Sequence, residues 1–432
     1  MREETALGFS GSDGPALPDL LRCVRCGLCL NHCPTYSELG LETESPRGRL
    51  YLMRGVSQGR VPITANLVSH LDLCLQCRNC EAVCPSGVRY GHIMEGARAQ
   101  IMRDGHRAPT AWRASRLLLR SFFSEPRRLR LFMTALGLYQ RSGLAALAQS
   151  LPGPWQPLIQ MTPVVSPRPY DARGVVADPA NGSPRFRVAL LAGCVMPYLF
   201  ANVHEATVRV LARQGCRVTV PTGQVCCGAL HLHAGDRQEA RRLARRNIDA
   251  FLAESVDAVL VNAGGCGAAL KDYGELLKND PRYAEKARRF SSLVRDVTEF
   301  LADLTLADGL GSLHQAVTYQ DPCHLAHAQG VKAQPRALLR AIPGLELREM
   351  AQPDLCCGSG GFYSLFHPDM ARRLLQRKMR DVASTGASVI ATANPGCHLQ
   401  LEAGLRRYAL PGRVVHVVEL LDEAYRTGQR AV

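Results

Sequence analysis

Eight cysteines of the chain fall into one spacing written twice, Cys23-x2-Cys26-x2-Cys29-x3-Cys33-Pro34 and Cys74-x2-Cys77-x2-Cys80-x3-Cys84-Pro85. Three thiolates spaced this closely reach three irons of one cubane, while the fourth points away and ligates a second cluster. Two [4Fe–4S] clusters are therefore expected, one on Cys23, Cys26, Cys29 and Cys84, the other on Cys74, Cys77, Cys80 and Cys33. The proline after each fourth cysteine has no N–H to donate and turns the chain away. Isolated C-x2-C pairs also build tetrahedral zinc sites, but zinc requires neither the third and fourth cysteines of each run nor their duplication. His32 and His92 lie beside the runs and, with every ligand position filled by a thiol, are expected to be surface or packing residues.

The two runs are the bacterial ferredoxin run, repeated. Between them, Glu42 to Arg54 reads as a loop leading into a helix that opens near Pro46. Apolar spacing after Cys84 predicts helices near 91–104, 109–123 and 127–149. Residues 1–105 are thus expected to form an all-α domain, similar to the helical ferredoxin domain of the succinate dehydrogenase iron–sulfur subunit, with a helical extension over 106–150. Arg113, Arg116, Arg120, Arg127, Arg128 and Arg130 decorate that extension. A solvated face is the plain reading, and contact with anionic lipid head groups the alternative. Residues 151–186 carry eight prolines without sustained periodicity and read as a linker.

The C-terminal half is an internal repeat. Cys194, Cys226-Cys227-Gly228 and Cys266 return as Cys323, Cys356-Cys357-Gly358 and Cys397, at offsets of 129, 130 and 131 residues. Duplication of one domain, here called the CCG domain, explains one period shared by three markers. The copies are expected at 187–312 and 313–432. Each first and last cysteine follows a short apolar run: Val188–Leu191, Ala258–Val261, Ala316–Tyr319 and Val389–Thr392. These read as buried parallel strands, with helical patterns such as Asp236–Glu254 and Pro368–Ser384 between them, so each copy is expected to be α/β and the whole chain α+β. Sites form beyond the carboxyl ends of parallel strands, where Cys194, Cys226, Cys227 and Cys266, and Cys323, Cys356, Cys357 and Cys397, are expected to converge. Three readings stay open for these sets: a further iron–sulfur cluster, a dithiol at the adjacent pair, or zinc. Cys216 falls outside every pattern and reads as a small buried hydrophobe.

A length of 432 residues fits two or three domains. The net charge of +14 could suggest nucleic acid, but only five basic residues are lysines and the 47 arginines are dispersed, with no aromatic-and-basic signature. No nucleic-acid role is expected. The opening MREETALGFSGSDGPALPD lacks the charged and apolar regions of a secretory signal, so a reducing, cytoplasmic setting is expected, in which clustered thiols bind metal or do redox chemistry. The longest uncharged stretch, 142–167, is interrupted by five prolines and does not read as a membrane span. Gly358-Ser-Gly360-Gly361-Phe-Tyr363 lacks the last glycine of a dinucleotide fingerprint, and no P-loop, H-E-x-x-H or G-x-S-x-G is present. The chain can move electrons, yet no catalytic residue for oxidising an organic molecule is identified.

In this order the motifs resemble the glycolate oxidase iron–sulfur subunit family, from about Leu21 to about Glu423. The most telling stretches are CVRCGLCLNHCPTY (23–36), PRGRLYL (46–52), HLDLCLQCRNCEAVCPSGVRY (70–90), YGELLKNDPRYAEKAR (273–288), DLCCGSGGFYSLFHPDMAR (354–372) and TANPGC (392–397). The resemblance implies a subunit of an enzyme that oxidises glycolate to glyoxylate. FAD-binding partner subunits would hold the substrate, and this chain would pass electrons toward quinone or another acceptor, with peripheral association at the cytoplasmic face of the inner membrane. The CCG repeats also resemble those of heterodisulfide reductase, which implies a thiol–disulfide or quinone reductase as an alternative. That pattern ends in C-x2-C, whereas Ala269 and Gln400 stand at the fifth position here. A subunit of a lactate or glycerol-3-phosphate dehydrogenase is the nearer alternative.

Overall fold

A computed structural model describes residues 8–9, 13–103, 110–145, 148, 162–179 and 183–430. The N-terminal part carries the helices α1 (Leu17–Leu21), α2 (Pro34–Leu39), α3 (Pro46–Ser57), α4 (Ala65–Asp72), α5 (Asn79–Ala82), α6 (Tyr90–Arg103), α7 (Thr110–Leu118) and α8 (Pro126–Arg141), with no strand among the described residues before Gly174. Local chemistry sets the boundaries. Ser45 caps α3 by accepting from the Gly48 N–H at 2.9 Å, and Pro46 takes the first helical position, where no N–H is missed. A Cβ on Gly48 would stand 1.8 Å from the Glu42 carbonyl oxygen, so the chain can fold back over the start of α3 only with glycine there. One wide helical turn, Leu119–Phe123, joins α7 to α8. The pattern read near 127–149 is one helix as far as Arg141; a turn at Ser142 and Gly143 breaks it before Leu144 and Ala145, which are again helical, and residues 146, 147 and 149 lie outside the described ones.

Two sheets follow. The first has the order β1-β3-β2-β4-β5, from Gly174–Ala177, Phe186–Leu190, Cys216–Val220, Ala258–Val261 and Val294–Asp296. The second has the order β7-β6-β8-β9, from Ala316–Tyr319, Glu346–Leu347, Val389–Thr392 and Arg413–His416. Apart from β1, both copies run parallel in the same order, as duplication requires. β4 and β8 are buried along their whole length, which accounts for strands of Val, Ile, Leu and Ala without alternation. β1 is an antiparallel edge strand paired with β3, inside the proline-rich stretch 151–186. Sheet position explains its unremarkable sequence, because an edge strand needs no continuous apolar run.

The copies are locked together. The last helix, Val417–Arg430, lies on Ala201–Arg213 of the first copy, where the Arg209 guanidinium donates to both Asp422 oxygens at 2.9 Å. One apolar core runs from Val188 through Leu421. The helical part is held against both copies: Arg78 pairs with Asp272 at 2.8 Å, and Tyr363 Oη donates to the Leu73 carbonyl at 3.1 Å. His233 Nδ1 lies 2.9 Å from Gln76 Oε1 while Gln76 Nε2 donates back to the His233 carbonyl at 3.2 Å.

Candidate metal centres

Both cysteine runs trace the same backbone. Arg25 and Gln76, each just before the second cysteine of its run, have φ of 59° and 54°; Gly27 and Arg78, each just after it, have φ of 84° and 60°. A non-glycine residue in the left-handed region costs about 1 kcal/mol, and strain of this kind collects where geometry serves a site. Here it curls each loop so that three sulfurs face one space. The strain at Arg78 is offset by its ion pairs with Glu81 and Asp272.

Two cavities result. Cys23, Cys26, Cys29 and Cys84 line the first, with Val24, Leu28, Arg47 and Pro85. Cys33, Cys74, Cys77 and Cys80 line the second, with Arg49, Gln76 and Tyr90. The fourth cysteine of each run therefore stands with the first three of the other. Cys80, Pro46 and Tyr90 reach both cavities, so the two share a wall. The first is open: Cys26 is exposed and Val24 is 68% exposed beside it. In the second, here called the enclosed cavity for its ligands, all four cysteines are buried, with the exposed His32 at its rim.

The donors suit an iron–sulfur core. Burial and the neighbouring Cys23 push the Cys29 thiol up to about 11, and burial followed by neighbouring thiols moves Cys77 and Cys80 well upward. Thiols crowded in this way ionise only against compensating positive charge, which bound iron supplies. Donors already surround the sulfurs: Gln76 N–H lies 3.4 Å and Tyr90 Oη 3.8 Å from Cys74 Sγ, Val88 N–H 3.4 Å from Cys84 Sγ, and Thr35 Oγ1 3.3 Å from Cys33 Sγ.

In the CCG copies, Cys194 follows β2 and Cys266 opens the helix after β4; Cys323 follows β6 and Cys397 lies in the helix after β8. In each copy the chain leaves its first strand to one side and returns on the other, so these cysteines flank the switch point where parallel sheets form sites. The side chains link in the same order in both copies, Cys194–Cys226–Cys227–Cys266 and Cys323–Cys356–Cys357–Cys397. Cys227 and Cys266 sulfurs are 3.2 Å apart. Hydrogen bonds from Cys194 and Cys227 hold the Cys226 thiol well below its usual range. Gly228 and Gly358 end the two pairs at φ of 83° and 85°, and a Cβ on Gly358 would come 2.6 Å from the Ala371 carbonyl oxygen. The second set stands beside the enclosed cavity: Cys77 and Cys356 share one buried cluster, with Cys323 packed against it.

Cys216 is the first residue of β3, at the end of the strand opposite to the carboxyl edge where the CCG cysteines gather, and is fully buried in the apolar core. Iron and sulfide content should be unchanged by Cys216→Ser, and analysis of the anaerobically purified variant checks this.

The sequence pattern of the 4Fe–4S dicluster domain matches residues 19–88, and that of the cysteine-rich domain matches 188–271 and 317–402. The linker region of the glycolate oxidase iron–sulfur subunit matches 110–152. Over 418 residues the chain is 41% identical to a probable glycolate oxidase iron–sulfur subunit of Bacillus subtilis (strain 168), with 94% of each chain covered. This chain belongs to the glycolate oxidase iron–sulfur subunit family. It is also 37% identical over 408 residues to the glycolate oxidase iron–sulfur subunit of Escherichia coli (strain K12), again covering 94% of each. A fumarate reductase (CoM/CoB) subunit of Methanothermobacter marburgensis is 29% identical over 412 residues, which cover 93% of this chain and 72% of that one.

Two buried arginines of this family member support the cysteine-bearing loops in a way that its cysteine pattern does not announce. Arg49, inside the PRGRLYL stretch, is 1% exposed on the wall of the enclosed cavity. It donates to Glu44 Oε2 at 2.6 Å, Thr35 Oγ1 at 3.1 Å and the His70 carbonyl at 2.6 Å. Arg98 gathers the carbonyls of Leu71, Asp72 and Cys74 at 2.8–3.1 Å and that of His233 at 2.9 Å, its guanidinium over the Trp112 ring. Composition hides both among 47 arginines. The one sequence signal was the helical register, which turns Arg49 and Arg98 toward apolar neighbours.

Proposed function

We propose that this chain is the iron–sulfur electron-transfer subunit of a flavin-dependent complex that oxidises glycolate to glyoxylate. Two electrons and two protons leave glycolate at a site on FAD-binding partner subunits, and this chain carries the electrons singly toward a quinone or other acceptor. The observation that supports this reading most directly is the pair of cysteine-lined cavities sharing one wall, one with an exposed cysteine at the surface and one whose four cysteines are all buried.

We assign Cys23, Cys26, Cys29 and Cys84 as ligands of one [4Fe–4S] centre, and Cys33, Cys74, Cys77 and Cys80 as ligands of the other. When bound, each centre supplies one-electron oxidation and reduction. The chain's own groups set the conditions. Gln76 N–H, Val88 N–H and Tyr90 Oη stabilise negative charge on sulfur, and Arg49 places a fixed cation at the enclosed cavity. Cys26, with Val24 and Leu28 around it, gives a partner close approach to the open cavity. Cys323 and Cys356 beside Cys77 continue the route into the second CCG copy, whose four thiols, like those of the first, we read as ligands of a further centre. The domain division follows: a helical ferredoxin domain to about residue 105, its extension to 150, a linker to 186 from which β1 joins the sheet of the first copy, and CCG domains from 187 and 313.

Iron and acid-labile sulfide per chain test this reading on anaerobically purified protein. Two centres in the N-terminal cavities give about eight of each. A value near twelve to sixteen is expected if the CCG sets are also occupied, and zinc in place of sulfide-bearing iron would refute the assignment.

A further inference from the structure

The segment running from α7 through the Leu119–Phe123 turn into α8 presents to the outside a face that the electron route does not use. The inward side of α8, Leu129, Met133 and Gly137, is buried against Val165 and the segment around Tyr198 and Leu199. Its outward side carries Leu131 and Leu138 two turns apart, 72% and 59% exposed, with Leu117 of α7 at 70% and Phe132 beside Phe122. Arginines bracket this apolar stripe: Arg127 and Arg128 one turn before Leu131, Arg141 one turn after Leu138. Residues 110–145 contain seven arginines, no lysine and one acid, Glu125. Arg116 and Arg120 are committed to the buried Asp236, and Arg130 reaches Asp171 only at 3.8 Å. No ion pair among the described residues holds Arg113, Arg127 or Arg128, all of them exposed.

Burial on one side fixes the helix, so the exposed leucines are not the misplaced half of a core. Leucines one turn from unpaired arginines fit a surface that is apolar at depth and anionic above it. The centre of a protein–protein interface is depleted of charge, whereas here charge and leucine interleave. No helix among the described residues is long and apolar enough to cross a bilayer, so the contact is one of lying on it. We propose that the outward face of the α7–α8 segment docks on an anionic lipid bilayer, the leucines entering the acyl boundary and the arginines engaging phosphate. Long arginine stems reach the head groups while the leucines sink. This goes beyond the electron-transfer reading and does not depend on it, since vesicle binding needs neither substrate nor partner.

Co-sedimentation of the full, cluster-loaded chain with large vesicles tests the proposal. Binding to phosphatidylglycerol vesicles should be at least about tenfold tighter than to phosphatidylcholine and should weaken as salt rises. The charge-preserving triple variant Leu117→Ser/Leu131→Ser/Leu138→Ser should lose about tenfold or more in affinity, because less apolar surface enters the acyl region. Arg127→Gln/Arg128→Gln should lose affinity and flatten the salt dependence. Amide exchange of the unmodified chain should slow over 126–141 when phosphatidylglycerol vesicles are added, a readout that stands even if a variant misfolds. Equal binding to both lipids, no binding, or no exchange protection would overturn the proposal. So would a leucine variant that binds like the parent, which would mean diffuse adsorption of a basic chain. A leucine variant that loses co-purifying protein subunits while keeping vesicle binding would assign the face to a protein and overturn it as well.

Discussion

Replacing Cys84 with alanine should abolish the centre of the first cysteine run, although Cys84 lies in the second. Iron and sulfide should each fall by about four per chain, and glycolate-dependent dye reduction by the assembled complex should drop about a hundredfold or more, since losing even an outer partner of a metal ligand costs about 10–100-fold. The reason is geometric. Cys84 lines the open cavity with Cys23, Cys26 and Cys29, while Cys33 faces the enclosed one. Pairs of substitutions separate this from ligation within each run. Cys26→Ala/Cys84→Ala removes two ligands of one centre and should lose about four iron per chain relative to the parent. Cys26→Ala/Cys33→Ala damages both N-terminal centres and should lose about eight. The opposite pattern, read by iron analysis and electron paramagnetic resonance of the reduced protein, would show that each run closes its own cluster.

The cysteine pattern carried that much because cluster ligation is short-range: three of four ligands lie within seven residues, and the repeat supplies the fourth. Strands such as Val389–Thr392 and the helix Pro368–Ser384 were legible for a related reason, since full burial writes a continuous apolar run and a surface helix a 3.6-residue stripe. The two-residue β7 and the edge strand β1 were not, because their pairing is decided by neighbours distant in sequence. Nor was the left-handed turn at Gln76 and Arg78, which no local propensity favours and which the cavity and the ion pairs of Arg78 sustain. The convergence of the CCG thiols was legible as an expectation from the switch-point rule. Their common linking order, and the placement of Cys323 and Cys356 against Cys77, required the folded chain.

Arg49 is the position where this long-range information is most concentrated, and Arg49→Met should be the most damaging change outside the cysteines. Its side chain and that of Glu44 are 1% and 6% exposed, so the pair contributes little from Coulomb attraction beyond what desolvation costs. Removing one partner is different. Glu44 would keep its charge in a buried site with only His70 to answer it, and Thr35 and the His70 carbonyl would each lose a donor. Stranding a buried charge costs about 3–5 kcal/mol, which should appear as a lower Tm for the helical part and a raised fraction of cluster-free chain. Arg49→Lys should rescue little, because one ammonium cannot reproduce the fork that joins Glu44, Thr35 and His70. Arg49→Met/Glu44→Gln should recover part of the loss, since the second change removes the stranded charge, and a full thermodynamic cycle gives the coupling. The double variant also separates folding from tuning. With the fold restored but the cation gone from the cavity wall, added negative charge is less well stabilised there. The midpoint potential of the enclosed centre should then stay below that of the Glu44→Gln single variant, which lacks the same carboxylate but keeps the cation, even where Tm has returned. An unchanged potential would confine Arg49 to holding the helix together.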